Sequence, residues 1–235
     1  MVSQILFRIY VVSTALLISA TLGSINAGEL RVPDELKYPN IITPLHQFGS
    51  WGSAAGEFND LQGVTFYDDN TIVVADTLNH RIQFLGIDGV PIDVWPTTYV
   101  NSDELIIPVD VDVDPDGNLY VIDAKKDLIL VYSKIGEPLR QFGGSGASHG
   151  KMSGAKGIAL FQDVVVVADT GNERIQIFDI LGSHMSSFGR YGSAEGEFNQ
   201  PNDVTVDAFG SIYVADSYNN RIQKFSSSGD FLTMW

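Results

Sequence analysis

The feature that most constrains this chain is a period. Asp76, Asp123, Asp169 and Asp216 each close a strand-like run, "TIVVAD", "NLYVID", "VVVVAD" and "SIYVAD", and they are separated by 47, 46 and 47 residues. A chain that repeats one unit at a fixed spacing builds the same supersecondary element several times, and each copy relies on its neighbours to bury its apolar faces.

Two further markers keep the same phase. Gly89, Gly136, Gly182 and Gly229 each stand six residues before an aromatic: Trp95, Phe142, Phe188 and Trp235. The pattern F-G-x-x-G-x-x-x-G-x-F covers Phe48–Phe58 and Phe188–Phe198, and recurs at Phe142–Met152 with Met152 in the last place. Each period also holds four short alternating runs, in the first Leu61–Tyr67, Thr71–Asp76, Arg81–Leu85 and Val90–Trp95. Apolar alternation between turn residues is the strand pattern. Four strands in about 45 residues match one blade of a propeller. The fold class is therefore all-β, a β-propeller of four-stranded blades.

One phrase is written three times: "VADTLNHRIQF" at 74–84, "VADTGNERIQIF" at 167–178 and "VADSYNNRIQKF" at 214–225. With the "GEF" and "P-x-D-V" of 196–204, these stretches resemble NHL repeats. The resemblance runs from Leu45 to Trp235, over repeats of about 45–89, 90–136, 137–182 and 183–229 and an outer strand 230–235. The second copy departs from it: "IDAKKDLILVY" has Lys126 for the asparagine and Leu128 for the arginine. The resemblance implies a β-propeller, typically of six blades. Leu45–Phe48 reads as a leading outermost strand ahead of four complete blades. The strands then fall short of a closed ring. The expectation is a piece of a longer propeller, with closure by another subunit as the other option, because open sheet edges are avoided.

The first 27 residues do not fit the period. A single Arg8 precedes the apolar run Ile9–Leu22, small residues follow, and Ala27 is a plausible cleavage point. This is the layout of a secretory signal, and the run is short of the ~20 residues of a membrane span. The expected location is extracytoplasmic, secreted or anchored through this segment if it is retained. Residues 28–44 form a lead-in. The chain has no cysteine, which excludes disulfides, thiolate zinc sites and a thiol nucleophile. Its formal charge of −15 argues against phosphate-backbone partners, so no nucleic acid is expected.

In the triplicated phrase the asparagines Asn79, Asn172 and Asn219 stand where the chain must reverse, a place asparagine tolerates. The arginine follows the aspartate by five residues: Asp76/Arg81, Asp169/Arg174 and Asp216/Arg221. These are expected to be partly buried structural pairs, or to let the arginine bond carbonyls of the next blade. A joint needed once per blade explains triplication better than a catalytic group does. Asp123 faces Leu128 and needs a different partner, for which Lys125 is the candidate.

Other patterns reduce to structure. The glycine-rich "FGSWGSAAGEF" has no nucleotide-loop spacing and no following lysine, and reads as a connector between blades. Asp112, Asp114, Asp116, Gly117 and Asp123 match calcium-loop spacing, but the glycine falls on a hairpin turn and Pro115 interrupts the loop. The peptide-amidating lyases, propellers related to the resembled family, carry zinc-binding histidines at the starts of innermost strands. The matching stretches here, "DLQGVT", "IPVDVDV", "AKGIAL" and "QPNDVTV", hold none. His46 and His184 fall on outer strands, His80 in a turn and His149 in a connector. No G-x-S-x-G elbow is present. Asp110 and Asp203 begin innermost strands and are read as a solvated channel mouth, or as a weak cation site. No cofactor is expected; calcium or zinc are the cations these positions leave open.

Connectors and phrase turns should share one face of the propeller, carrying Trp51, His80, Tyr99, Arg190, Tyr191 and Tyr218. Aromatics with an arginine suit recognition, and the resemblance implies a protein-interaction platform. The expected function is an exported binding scaffold for a protein or small extracellular ligand. The alternative is a metal-assisted lyase or hydrolase.

Overall fold

The alternation of apolar and polar residues resolves, in a computed structural model that describes residues 47–235, into four four-stranded antiparallel sheets. The expected signal segment, the lead-in and Leu45 and His46 lie outside the described residues. A glycine connector opens the described chain, with two-residue strands β1 (Ser50–Trp51) and β2 (Glu57–Phe58) paired in parallel. Blade one follows as β3 (Leu61–Asp68), β4 (Thr71–Asp76), β5 (Arg81–Gly86) and β6 (Pro91–Pro96). Blade two is β7 (Pro108–Val113), β8 (Leu119–Asp123), β9 (Leu128–Tyr132) and β10 (Pro138–Gly143). Blade three is β11 (Gly157–Phe161), β12 (Val164–Asp169), β13 (Arg174–Asp179) and β14 (His184–Phe188). Blade four is β15 (Pro201–Val206), β16 (Ile212–Asp216), β17 (Arg221–Phe225) and β18 (Phe231–Met234).

Within each blade the strands pair in chain order, first strand innermost and fourth outermost, and β3, β7, β11 and β15 lie side by side. Both faces of a blade are apolar, and each interface between blades is a separate core. Val73, Ala75, Ile82 and Phe84 of blade one pack on Val111, Leu119, Val121 and Leu130 of blade two. Tyr120, Ile122, Ile129 and Val131 meet Ile158, Val165, Val167 and Phe178. Val166, Ala168, Ile175 and Ile177 meet Val204, Ile212, Val214 and Phe225. Each Val, Leu, Ile or Phe among them contributes roughly 1.5–3 kcal/mol, so the interfaces hold the stack together. On blade four the corresponding trailing positions are Tyr213, Ala215, Ile222 and Lys224, all half-buried.

The glycine marker now has a cause. Gly182 lies at φ 93° in the β13–β14 turn, and a Cβ there would stand 2.4 Å from Phe142 Cγ of the preceding blade's outer strand. Gly136 meets Trp95 and Gly229 meets Phe188 in the same way. The aromatic of one blade thus rests on a turn of the next that must be bare. Phe48 sits against Gly89 in the same relation, although it lies outside any strand of the described residues.

Candidate functional site

A four-stranded meander puts the turn between its second and third strands, and the connector entering it, at one end of the sheet. The three copies of the phrase shape this connector face. Thr77–Asn79, Thr170–Asn172 and Ser217–Asn219 each make one 3-10 turn, and the next residue adopts a left-handed conformation, His80 at φ 54°, Glu173 at 55° and Asn220 at 52°.

Each phrase aspartate is fully buried and saturated. Asp76 Oδ2 accepts from Arg81 Nε at 2.6 Å, Gln83 Nε2 at 2.9 Å and Asn79 Nδ2 at 2.9 Å, while Oδ1 accepts the Asn59 N–H at 2.8 Å. Asp169 and Asp216 repeat the arrangement, with Arg174 Nε at 2.8 Å and Arg221 Nε at 2.7 Å. The carbonyls that the arginine binds belong to the connector entering its own blade, where the sequence had suggested the next blade. Arg81 donates to Ser53, Ala54 and Glu57, and Arg221 to Ser193, Ala194 and Glu197. The connector, irregular backbone with orphan carbonyls, is thereby fastened to the sheet. Gln83, Gln176 and Gln223 do the same work from inside, each donating to the aspartate and to a connector carbonyl. They escaped the sequence reading, although "RIQ" is identical in all three copies.

Blade two solves the same problem with other residues. Asp123 does not take the Lys125 ammonium. Its Oδ2 accepts the Tyr99 hydroxyl at 2.6 Å, and its oxygens accept backbone N–H groups of Ile107, Lys125 and Lys126. Burial, then the Asp123 carboxylate, pushes the Tyr99 phenol far above its ordinary pKa, so it stays a donor. Tyr99 was expected on the exposed face; at 3% exposure it is a core residue instead. Both lysine ammoniums go to Glu104 at 2.7 Å, which holds that carboxyl down to about 2, and Lys126 also lies over the Tyr99 ring.

The left-handed residue makes a second joint, forward to the following blade. His80 Nδ1 is 2.7 Å from the Ile106 carbonyl, Asp127 accepts the Gly154 N–H at 2.6 Å, and Glu173 accepts the Gln200 N–H at 2.6 Å. His80, expected as a recognition residue, is half-buried and engaged in this joint.

At the inner strands, Asp110 is buried, where a solvated channel mouth was expected. Its Oδ2 accepts the Ile158 N–H of blade three at 2.8 Å. Asp112 accepts the Thr65 hydroxyl of blade one at 2.9 Å and the Leu160 N–H of blade three at 2.7 Å. These carboxylates satisfy strand-edge amides that no neighbouring strand pairs. Asp203, half-buried, accepts its neighbour Val204 N–H at 2.8 Å, and a Cβ on Gly157 would come within 2.7 Å of its Cα. The calcium-like spacing disperses: Asp114 closes a turn with Gly117, Asp112 bridges blades and Asp123 lies under Tyr99. Among the described residues no three His, Asp or Glu side chains converge as a metal site.

What remains free for recognition is a set of large side chains with no structural duty. Trp51 is 83% exposed, Tyr191 71% and Tyr218 69%. Trp51 and Tyr191 hold the same place in two glycine connectors, where the third has Ser145; Tyr218 corresponds to Gly171. The Arg190 guanidinium reaches Glu197 at 2.9 Å and is otherwise open to solvent.

Comparison with known proteins agrees with this architecture. The NHL repeat model matches residues 198–225. Protein brain tumor of Drosophila melanogaster is 36% identical over 95 residues, 39% of this chain and 9% of that protein. Human NHL repeat-containing protein 3 is 38% identical over 80 residues, 31% of this chain and 22% of its own length. Rat peptidylglycine alpha-amidating monooxygenase is 45% identical over 58 residues, 24% of this chain and 6% of its own length. Each alignment thus spans under a quarter of the relative. A streptogramin B lyase structure superposes with a TM-score of 0.57 at 14% identity, covering 73% of this chain and 53% of the lyase, a likeness of fold.

Proposed function

We propose that this chain, which is an NHL-repeat β-propeller, is an extracytoplasmic scaffold that holds a protein partner against its connector face. One observation carries the reading. Trp51, Tyr191 and Tyr218 are large, solvent-exposed and placed where blade three does without them, at Ser145 and Gly171. Stacking of the blades gives no reason for them. Rigid aromatics beside an arginine are what interface hot spots are made of. The NHL-repeat match and kinship with protein brain tumor support an interaction role in general. The compartment rests on the signal-like segment 1–27.

The test compares proteins captured from an extract of the source organism by the wild type and by a Trp51→Ala/Tyr191→Ala/Tyr218→Ala variant of the full chain. A partner held by the wild type and released by a variant with unchanged melting supports the scaffold. Equal capture by both sinks it. The relationship to amidating monooxygenases keeps a metal-assisted lyase or hydrolase as the second reading. Stoichiometric zinc or calcium in the purified chain, required for turnover, would favour it.

A further inference from the structure

Blade three contains a pair of histidines that the other blades lack. His184 opens the outer strand β14 opposite Phe178, the place of Pro91 opposite Leu85 in blade one and Phe231 opposite Phe225 in blade four. His149 lies in the glycine connector at the place of Ala55 and Glu195. Two positions 35 residues apart have both become histidine in one blade alone, and the fold brings their rings to 5.0 Å. We infer that His149 and His184 form a proton-operated latch that fastens the connector between blades two and three at neutral pH and releases it in acid.

The surroundings of His184 favour its neutral ring. His184 sits edge-on to Phe178, with ring centroids 5.7 Å apart, and its Nε2 is buried without a hydrogen-bond partner. A charged imidazole there carries a buried N–H with nothing to receive it. The charged or titratable groups acting on it are His149 from the connector and Arg174 from β13, both cationic when protonated. No carboxylate of the described residues is among them. On its own strand the Ser186 backbone alone favours the charge. His149 is held from the other side by the Ser187 hydroxyl, 3.3 Å from its Nδ1. Burial first, then His149 and Arg174, depress the His184 pKa. A depressed folded-state value gives stability that is present above the unfolded value of about 6.5 and lost as pH falls through the folded one. The segment released is the connector that Arg174 and Gln176 also grip through the Ser148 and Lys151 carbonyls.

Hydrogen exchange of residues 143–153 and 184–188, corrected for intrinsic rates, tests this between pH 7.5 and 5. Protection should fall as His184 charges, about tenfold in the opening equilibrium for each unit by which its pKa is depressed. In His184→Phe, the blade-four residue at that place, the pH dependence of these amides should vanish. In His149→Ala the His184 pKa should rise toward its unfolded value, because one like charge is gone, so the release should begin at higher pH and have a smaller amplitude. Protection in the wild type that does not change with pH, or the same loss in His184→Phe, overturns the latch. Amides of blade four, which has Glu195 and Phe231 at these places and no histidine, serve as the internal reference.

Discussion

The Tyr99 hydroxyl stands 2.6 Å from Asp123 Oδ2, in the one blade whose phrase lacks arginine, asparagine and glutamine. A buried carboxylate needs donors, and their chemical identity is secondary. Tyr99→Phe should therefore destabilise the protein by about 1.5–3 kcal/mol, the range for a hydrogen bond to a charged group. Lys125→Ala, which removes only an exposed pair with Glu104, should change stability little. Urea unfolding of both variants decides it; equal effects would mean Asp123 does not depend on the phenol.

Arg174→Ala removes the guanidinium from Asp169 and leaves the Ser148 and Lys151 carbonyls with one partner fewer. Breaking a buried pair costs about 3–5 kcal/mol, and the remaining bonds from Asn172 and Gln176 place this change near the lower end. Arg190→Ala, exposed and paired only with Glu197, is the control. Arg174→Ala melting alongside that control would refute the joint.

Gly182 and Gly196 both have positive φ, 93° and 75°, so alanine strains either backbone. Only at Gly182 does the new methyl meet a neighbour, Phe142, since nothing lies within 4 Å at Gly196. Gly182→Ala should be the more destabilising by about 1–3 kcal/mol, the scale of overpacking. A smaller loss than in Gly196→Ala would show that the aromatic rests there without close contact.

Burial raises the pKa of Tyr99 and Tyr132 beyond the usual phenol range, and Asp123 adds to both shifts. A raised folded-state value gives stability that is complete below the unfolded pKa of about 10 and declines as pH rises above it. Alkaline titration of the native protein at 295 nm should leave these two phenols un-ionised near pH 11, and ionise them only on unfolding. Full tyrosine ionisation in the folded state would contradict the buried geometry.

The period made the blades legible, because strand alternation and turn glycines are local signals. Asp76 and Arg81 were legible as a pair for the same reason: five residues across a tight turn leave few other arrangements. Gln83 was not, because a glutamine in a strand reads as a polar face until a connector folds over it and offers the Glu57 carbonyl. Tyr99 misled because an aromatic in a long connector looks exposed. The available clue was negative: Leu128 and Leu130 left Asp123 without donors, so a donor had to come from elsewhere. His149 and His184 belong to no period at all, and only the fold shows that they touch.

The rest of an outer-strand aromatic on the following blade's turn glycine has two unlike halves. Contacts of that kind give a series polarity: each unit has a leading side and a trailing side, and reversal is forbidden. Units one to three should therefore be exchangeable by cassette, provided orientation is kept. Unit four is the exception. Its trailing side carries Tyr213 and Lys224 where Val73 and Phe84 stand in unit one, so moved inward it would bury an ammonium group in the next seam.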